Sequence, residues 1–196
     1  NNYQAAEALY ASGEYAQAAQ AFEAMGDYED APERALAAHY AYAEALLAAG
    51  DDSGALAEFA LAGNYQDAAK RIQAIHYANA EELLAAGDAD GAAAEFEAAG
   101  DYEDAPERAQ AIRFALAEAM EASGDLGAAA ILYGQLGDYS NARERSFALW
   151  EQVTDRETVS AGSIHPVGLK SDGTVVAVGW NDDGQCGVAG WTDIVA

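Results

Sequence analysis

Apolar and polar positions recur along the chain, up to about residue 150, in a fixed order. The order is marked by the nonapeptide Gly-Asp-Tyr-Glu-Asp-Ala-Pro-Glu-Arg, which begins at Gly26 and returns unchanged at Gly100. Looser copies begin at Gly63 and Gly137, so the step is 37 residues each time. A fixed period of about 20 to 50 residues is typical of stacked repeats. The pattern therefore predicts a repeat array.

Within each repeat, apolar residues are spaced three and four apart, which predicts helices. The glycines that follow each apolar stripe are expected to end those helices. In the repeat that contains Asp30, the pattern predicts a long helix over 31–49, a short helix over 52–62 and a five-residue link. Asp30 and Asp104 are the predicted N-caps of long helices, each in a capping box with the glutamate three residues later.

The apolar positions cover more than half of the circumference of the long helix, which indicates burial against both neighbouring repeats. The predicted fold is mainly α: a right-handed α-solenoid of antiparallel helix pairs over residues 1–155, followed by a small β segment over 156–196. Tyr28, Tyr65 and Tyr102 occupy an aromatic position in the links. We expect these rings to be wedged between successive helix pairs.

The remaining strip of the long helix carries alanines flanked by glutamates, including Ala37, and predicts a shallow acidic trough. Such a trough is suited to a basic or amphipathic peptide; the alternative is a solvated face that is kept polar for solubility. The arginine position of the repeat is expected to be structural and to pair with acids near the helix starts. The candidate partner-binding residues are Ala41, Ala78, Ala115, Glu44, Glu81 and Glu118.

After Trp150 the helical spacing is lost. From Val159 the apolar residues alternate with turn residues, and Asp172-Gly173 lies between two such runs, which predicts a hairpin. Since an isolated hairpin is marginal in water, we expect the tail to lie against the end of the last helix or to be mobile. The expected buried side consists of Val167, Leu169, Val176 and Val178.

The charge is strongly acidic, with 9 Lys+Arg against 34 Asp+Glu and a net charge of −25. Binding to nucleic acid or to an anionic membrane needs basic side chains, so both are disfavoured. A protein or peptide partner, basic or neutral, is compatible with this charge, and so is simple solubility. No apolar run is long enough to insert into a membrane. The compartment and the oligomeric state stay open.

Few residues are candidates for catalysis. His39 and His76 share a repeat position with Arg113 and Trp150, which favours packing or surface decoration over chemistry. Asp88-Ala-Asp-Gly91 resembles part of a calcium loop, but the later ligands are missing, so it is better interpreted as a helix start. Cys186 is the single cysteine, which excludes an internal disulfide. We therefore expect no catalytic, cofactor or metal site, and no enzyme activity in this chain.

The segment Gly13-Glu-Tyr15, followed by Ala18, Phe22 and Met25, resembles the second half of a tetratricopeptide repeat. The resemblance covers residues 2–150, although the usual period of that family is 34 residues. The three additional residues lengthen the first helix of each pair. The resemblance implies stacked helix pairs and a groove that binds peptides.

The segment from Ala161 to Gly187 resembles one blade of the regulator-of-chromosome-condensation propeller family. A single blade cannot bury both faces, so the resemblance implies that the chain is a fragment of a longer protein. The residues that carry it are Gly162, His165, Leu169, Asp172, Gly173, Gly179, Asn181, Gly184 and Gln185.

Two functions are compatible with these observations. The first is a non-catalytic scaffold for protein–protein interaction, in which the solenoid groove and the propeller are binding platforms. The alternative is a targeting or inhibitory module of an enzyme whose catalytic part lies outside this fragment.

Overall fold

The structure is a computed structural model that describes residues 2–153, 159–161, 166–170, 174–179, 181, 184 and 186–192. This part of the chain is mainly helical and ends in a small antiparallel sheet, as the sequence predicts. The elements are α1 (Asn2–Ala11), α2 (Tyr15–Glu23), α3 (Ala31–Ala48), α4 (Asp52–Ala62), α5 (Ala68–Ala86), α6 (Ala89–Ala98), α7 (Ala105–Ser123), α8 (Leu126–Leu136), α9 (Ala142–Val153), β1 (Val159–Ala161), β2 (Pro166–Leu169) and β3 (Val175–Ala177).

The helix bounds follow from local residues. The short helix α4 begins after Asp51, whose carboxylate accepts a hydrogen bond of 2.9 Å from the backbone N–H of Gly54. It ends at Gly63, where φ is 60°, a left-handed backbone that glycine adopts at little cost. These bounds are the predicted ones, and α3 ends one residue before the predicted limit.

The chain divides into two compact units, one of residues 1–85 and 95–105, the other of residues 86–94 and 106–196. In the first unit α1 packs against α2, α2 against α3, and α3 against α4. This succession of helix pairs is the packing of an α-solenoid. Its fully buried aromatic rings are those of the short helices, Phe22, Phe59 and Phe96.

The predicted wedge of link tyrosines is wrong for Tyr28, which is 49% exposed. Tyr65 and Tyr102 are half-buried. The link residue that follows each tyrosine adopts a positive φ without being glycine, between 47° and 51° at Glu29, Gln66, Glu103 and Ser140. This backbone holds the rings at the rim of the helix pairs, while the phenylalanines of the short helices occupy the interior.

In the second unit α8 packs against α9 around a core that contains Tyr133, Leu149 and Trp150. The three strands form one antiparallel sheet in the order β1-β2-β3, with Val159 opposite Gly168 and Val167 opposite Ala177. The hairpin predicted around Asp172-Gly173 is therefore confirmed in its two strands, although residues 171–173 lie outside the described residues.

The strand tail lies against the helices of its unit, because Val176 and Val178 pack on the core of α8 and α9. Val176 and Val178 of the predicted buried side thus contact the helices, but all four predicted residues are only half-buried. Val167 and Leu169 are half-buried, whereas Pro166 and Gly168 of the same strand are buried. Gly168 lies opposite Val176, so these two share a face, and Val167 and Leu169 belong to the other one. The prediction mixed residues of the two faces.

Candidate functional site

Each repeat contains a group of three aromatic rings. Tyr40 of α3 lies 5.3 Å from Phe59 of α4 and 5.8 Å from Tyr65 of the following link, measured between ring centroids. Both contacts are edge-to-face, the arrangement that the ring quadrupoles favour. Groups of three rings are also built around Tyr3, Tyr77 and Phe114, with centroid distances of 5.2 to 6.2 Å and edge-to-face or tilted contacts.

The tyrosine hydroxyl in this group donates to the aspartate that precedes the next long helix. The Oη–Oδ1 distance is 2.5 Å from Tyr40 to Asp67 and 2.6 Å from Tyr77 to Asp104. The hydrogen bond with Asp67, burial and the nearby carboxylates raise the pKa of Tyr40 to about 12. The bond also lowers the pKa of Asp67.

The predicted capping box at Asp30 is wrong. Asp30 is the N-cap of α3, but its side chain makes no capping bond with the backbone. The carboxylate accepts from the hydroxyl of Tyr3 instead. The aspartate is therefore used to join two repeats rather than to cap its own helix.

At the arginine position of the repeat, Arg34, Arg71 and Arg145 each pair with a glutamate of the preceding long helix. Nε of Arg71 lies 2.6 Å from Oε1 of Glu44, and a second bond joins Nη2 of Arg71 to Oε2 of Glu44. Arg34 holds Glu7 in the same two-bond geometry. Hydrogen bonding with Glu44 raises the pKa of Arg71. The structural role predicted for the arginines agrees with this geometry, but their partners lie 27 residues earlier rather than near the helix starts.

In the second unit Arg145 is shared between two glutamates of α7. Its two terminal nitrogens lie 2.6 Å from Oε1 of Glu118 and 2.6 Å from Oε2 of Glu121. Its guanidinium carbon also lies 4.7 Å from the ring centroid of Tyr133, a cation–π contact. Glu118 is thus part of a structural network.

The candidate trough of short side chains and acids is divided between the units. Ala41 and Glu44 are half-buried, while Ala78 and Glu81 are exposed, and all four belong to the first unit. Ala115 and Glu118 are exposed and belong to the second unit. Ala37 is only 4% exposed, so it does not line the trough as the sequence suggests. Since Glu44 and Glu118 are paired with arginines, the strip is less acidic than the sequence alone indicates.

The histidines form a second polar site, between long and short helices. Nδ1 of His39 lies 2.6 Å from Oε2 of Glu58, and its Nε2 lies 3.1 Å from Oε1 of Glu23. Nδ1 of His76 lies 2.7 Å from Oε2 of Glu95. Sequence reasoning missed these pairs, although both histidines are followed 19 residues later by a glutamate.

Other candidate residues have local roles. Asp88 accepts a hydrogen bond of 3.0 Å from the N–H of Gly91 and begins α6, as the helix-start interpretation predicts. Cys186 is a free cysteine that lines a cavity of about 440 Å³ with Ile131, Gln135 and Val188. His165 lies outside the described residues. Among the residues described, no cluster of three His, Cys, Asp or Glu side chains is arranged to hold a metal ion.

None of the helices in the described ranges combines the length and the apolar character needed to cross a membrane. No protein-family model matches the chain, and no curated protein is significantly similar to it.

Proposed function

We propose that this chain is a non-catalytic scaffold for protein–protein interaction and that its partner carries a basic segment. The observation that supports the proposal is the pairing of arginines with glutamates. Arg34, Arg71 and Arg145 are all held in pairs with glutamates inside the helical units. With a net charge of −25, the surplus carboxylates are left on the surface. Such a surface attracts basic partners at long range and raises their association rate.

The binding surface that we propose is the strip of alanines and glutamates on the long helices of the first unit, at Ala41, Glu44, Ala78 and Glu81. Exposed Ala78 is short, so a partner can approach the helix backbone closely beside Glu81. A carboxylate that is paired with an arginine still has lone pairs for a second donor. The resemblance to tetratricopeptide repeats, whose grooves bind peptides, supports the same surface.

We also propose that the C-terminal sheet is one blade of a propeller and forms a second platform. The three strands pair in sequence order with antiparallel register, which is the order of strands in a blade. Trp191, 55% exposed, is an apolar side chain that such a platform would offer to a partner.

Two fluorescent helical peptides of equal length, one with lysines and one with glutamates at the same exposed positions, would test the proposal. We expect the lysine peptide to bind the full chain with an affinity that falls as NaCl rises from about 50 to about 300 mM, and the glutamate peptide not to bind. Absence of binding by the lysine peptide at low salt would contradict a basic partner.

The surface is tested with charge-matched variants in the same assay. Glu44→Gln combined with Glu81→Gln should weaken binding about fivefold to tenfold, or about 1 to 1.4 kcal/mol. Asp90→Asn combined with Glu144→Gln removes two exposed carboxylates outside the strip and should change affinity less than about twofold. Equal losses of affinity in both double variants would indicate a general charge effect and would contradict binding at the strip.

A further inference from the structure

His39 lies at the junction of three helices. The residue is 7% exposed on α3, and both of its ring nitrogens face carboxylates. Glu58 at 2.6 Å belongs to α4, and Glu23 at 3.1 Å is the last residue of α2. Because α2 and α4 belong to successive repeats, the ring lies where two helix pairs meet.

The protonation state of the ring follows from the donor count. An ionised carboxylate only accepts hydrogen bonds, whereas a neutral imidazole donates from one nitrogen only. Both contacts of His39 are hydrogen bonds only when the ring carries two protons. The residues one turn before and after it on α3 are the buried alanines Ala35 and Ala43. The charged groups that face the ring are therefore Glu23 from α2 and Glu58 from α4.

The electrostatics of the site agree with this count. Burial lowers the pKa of His39, but the hydrogen bonds and charges of Glu58 and Glu23 raise it by more, so that the net pKa lies above its usual value. A histidine with an ordinary pKa of about 6.5 is mostly neutral at physiological pH. The two carboxylates extend the charged form of His39 to higher pH.

We propose that the doubly protonated ring of His39 joins two successive helix pairs, and that the loss of one proton as the pH rises releases the contact with Glu23. The retained proton on Nδ1 keeps the shorter bond with Glu58 in the same repeat. The released bond is the one with the preceding repeat. The first unit thus contains a pH-dependent connection between its repeats.

The chain contains a natural control for this device. His76 occupies the same position in the next repeat and contacts Glu95 through Nδ1 at 2.7 Å. The position equivalent to Glu23 is occupied by Ala60, which has no carboxylate. The repeat position that supplies the second carboxylate to His39 therefore supplies none to His76.

The direction of the pH effect follows from linkage. A histidine whose pKa is raised by folding contributes stability that is fully present below its unfolded pKa of about 6.5. That contribution is lost as the pH rises through the raised pKa of the folded state. We therefore expect the first unit to become less stable as the pH rises above about 6.5 and through the raised pKa of the folded state.

The test compares the full-length chain with three variants, His39→Gln, His76→Gln and Glu23→Gln. NMR titration of the imidazole C–H signals should show His39 titrating above the usual histidine value in the unsubstituted chain. In Glu23→Gln the new amide can accept from or donate to Nε2, so the ring no longer needs two protons. The His39 titration should then shift to lower pH, whereas His76→Gln should leave it in place.

Urea midpoints measured across the same pH range provide the second readout. The midpoint of the unsubstituted chain should fall as the pH rises, and this fall should shrink in His39→Gln and Glu23→Gln but persist in His76→Gln. If His39→Gln does not fold, Glu23→Gln and the NMR titration decide the matter alone. A His39 that titrates at or below the usual value, or an unchanged titration in Glu23→Gln, would overturn the proposal.

Discussion

Tyr40 in the first unit and Phe114 in the second occupy the same position of the repeat and differ by one hydroxyl. Tyr40 lies 5.3 and 5.8 Å from Phe59 and Tyr65. Phe114 lies 5.3 and 5.8 Å from its two ring neighbours, although it has no hydroxyl to donate. The ring distances are the same with and without the hydrogen bond, so packing of the rings determines this geometry and the hydroxyl only adds to it.

In the second unit a hydroxyl is present on the neighbouring ring instead. Tyr133 stands where Phe59 stands in the first unit, and its hydroxyl donates to Glu121 at 3.1 Å. Glu121 also pairs with Arg145, so a buried tyrosine, a glutamate and an arginine form one network. The buried hydroxyl of Tyr133 therefore has a hydrogen-bond partner. This is expected, because burying an unpaired hydroxyl is energetically costly.

The largest expected effect is the loss of the central ring. Phe59→Ala should lower the free energy of unfolding by about 3 to 5 kcal/mol, because Phe59 is fully buried and its removal leaves a cavity. Tyr65→Ala, which removes the half-buried ring on the other side of Tyr40, should cost less. Urea denaturation monitored by circular dichroism measures the free energy of unfolding of both variants. A larger loss of stability for Tyr65→Ala would mean that Tyr65, and not Phe59, is the interior ring.

A smaller effect is expected from the arginine that covers the ring group. Arg71→Met keeps much of the aliphatic stem but removes both bonds with Glu44, and should cost about 1 kcal/mol or less. Arg143→Met is the matched control, because Arg143 pairs with Asp138 at a more exposed site. We expect no measurable change in the control; equal losses in the two variants would show that the two-bond geometry adds nothing.

Exchange of the hydroxyl should have a still smaller effect. Tyr40→Phe reproduces the ring of Phe114 and removes one hydrogen bond with an exposed aspartate, so it should cost about 0.5 kcal/mol. The ring packing should persist, which near-ultraviolet circular dichroism can monitor. A loss as large as that of Phe59→Ala would mean that the hydroxyl, and not the ring, holds this repeat together.

The smallest effect is confined to alkaline pH. The raised pKa of Tyr40, about 12, means that its contribution is present below the ordinary tyrosine pKa of about 10 and is lost as the pH rises through about 12. The difference in phenolate absorbance between the unsubstituted chain and Tyr40→Phe should titrate near that higher value. A difference spectrum centred on the ordinary value would show that the bond with Asp67 is not formed in solution.

The sequence was sufficient to predict the helices but not the contacts between them. The bounds of α4 and the turn at Gly63 follow from residues within a few positions, and the 37-residue period placed them correctly. The bond of Tyr3 with Asp30 and the burial of Ala37 depend on the angle at which one helix pair lies on the next. Helical periodicity describes one helix at a time and contains no information on that angle.

The same limit explains why the sequence did not predict the contacts of the candidate site. Glu44 and Ala41 lie on one stripe of α3, as their spacing predicts, but the pairing of Glu44 with Arg71 joins two helices. The role of His39 was missed for the same reason, since Glu23 and Glu58 reach it from two other helices. Repetition offered the missing signal, because a constant spacing between two columns, such as 19 residues, indicates a contact that recurs in each repeat.

The short range of these contacts has a consequence for how the first unit folds. The side-chain bonds described between its helices and links join residues that are 16 to 28 positions apart, from His39 with Glu23 to Gln73 with Asp101. Proteins whose contacts are local in sequence close small loops and fold quickly. Any neighbouring pair of helices in this unit can therefore serve as a nucleus, and the repeats on either side can add to it one at a time.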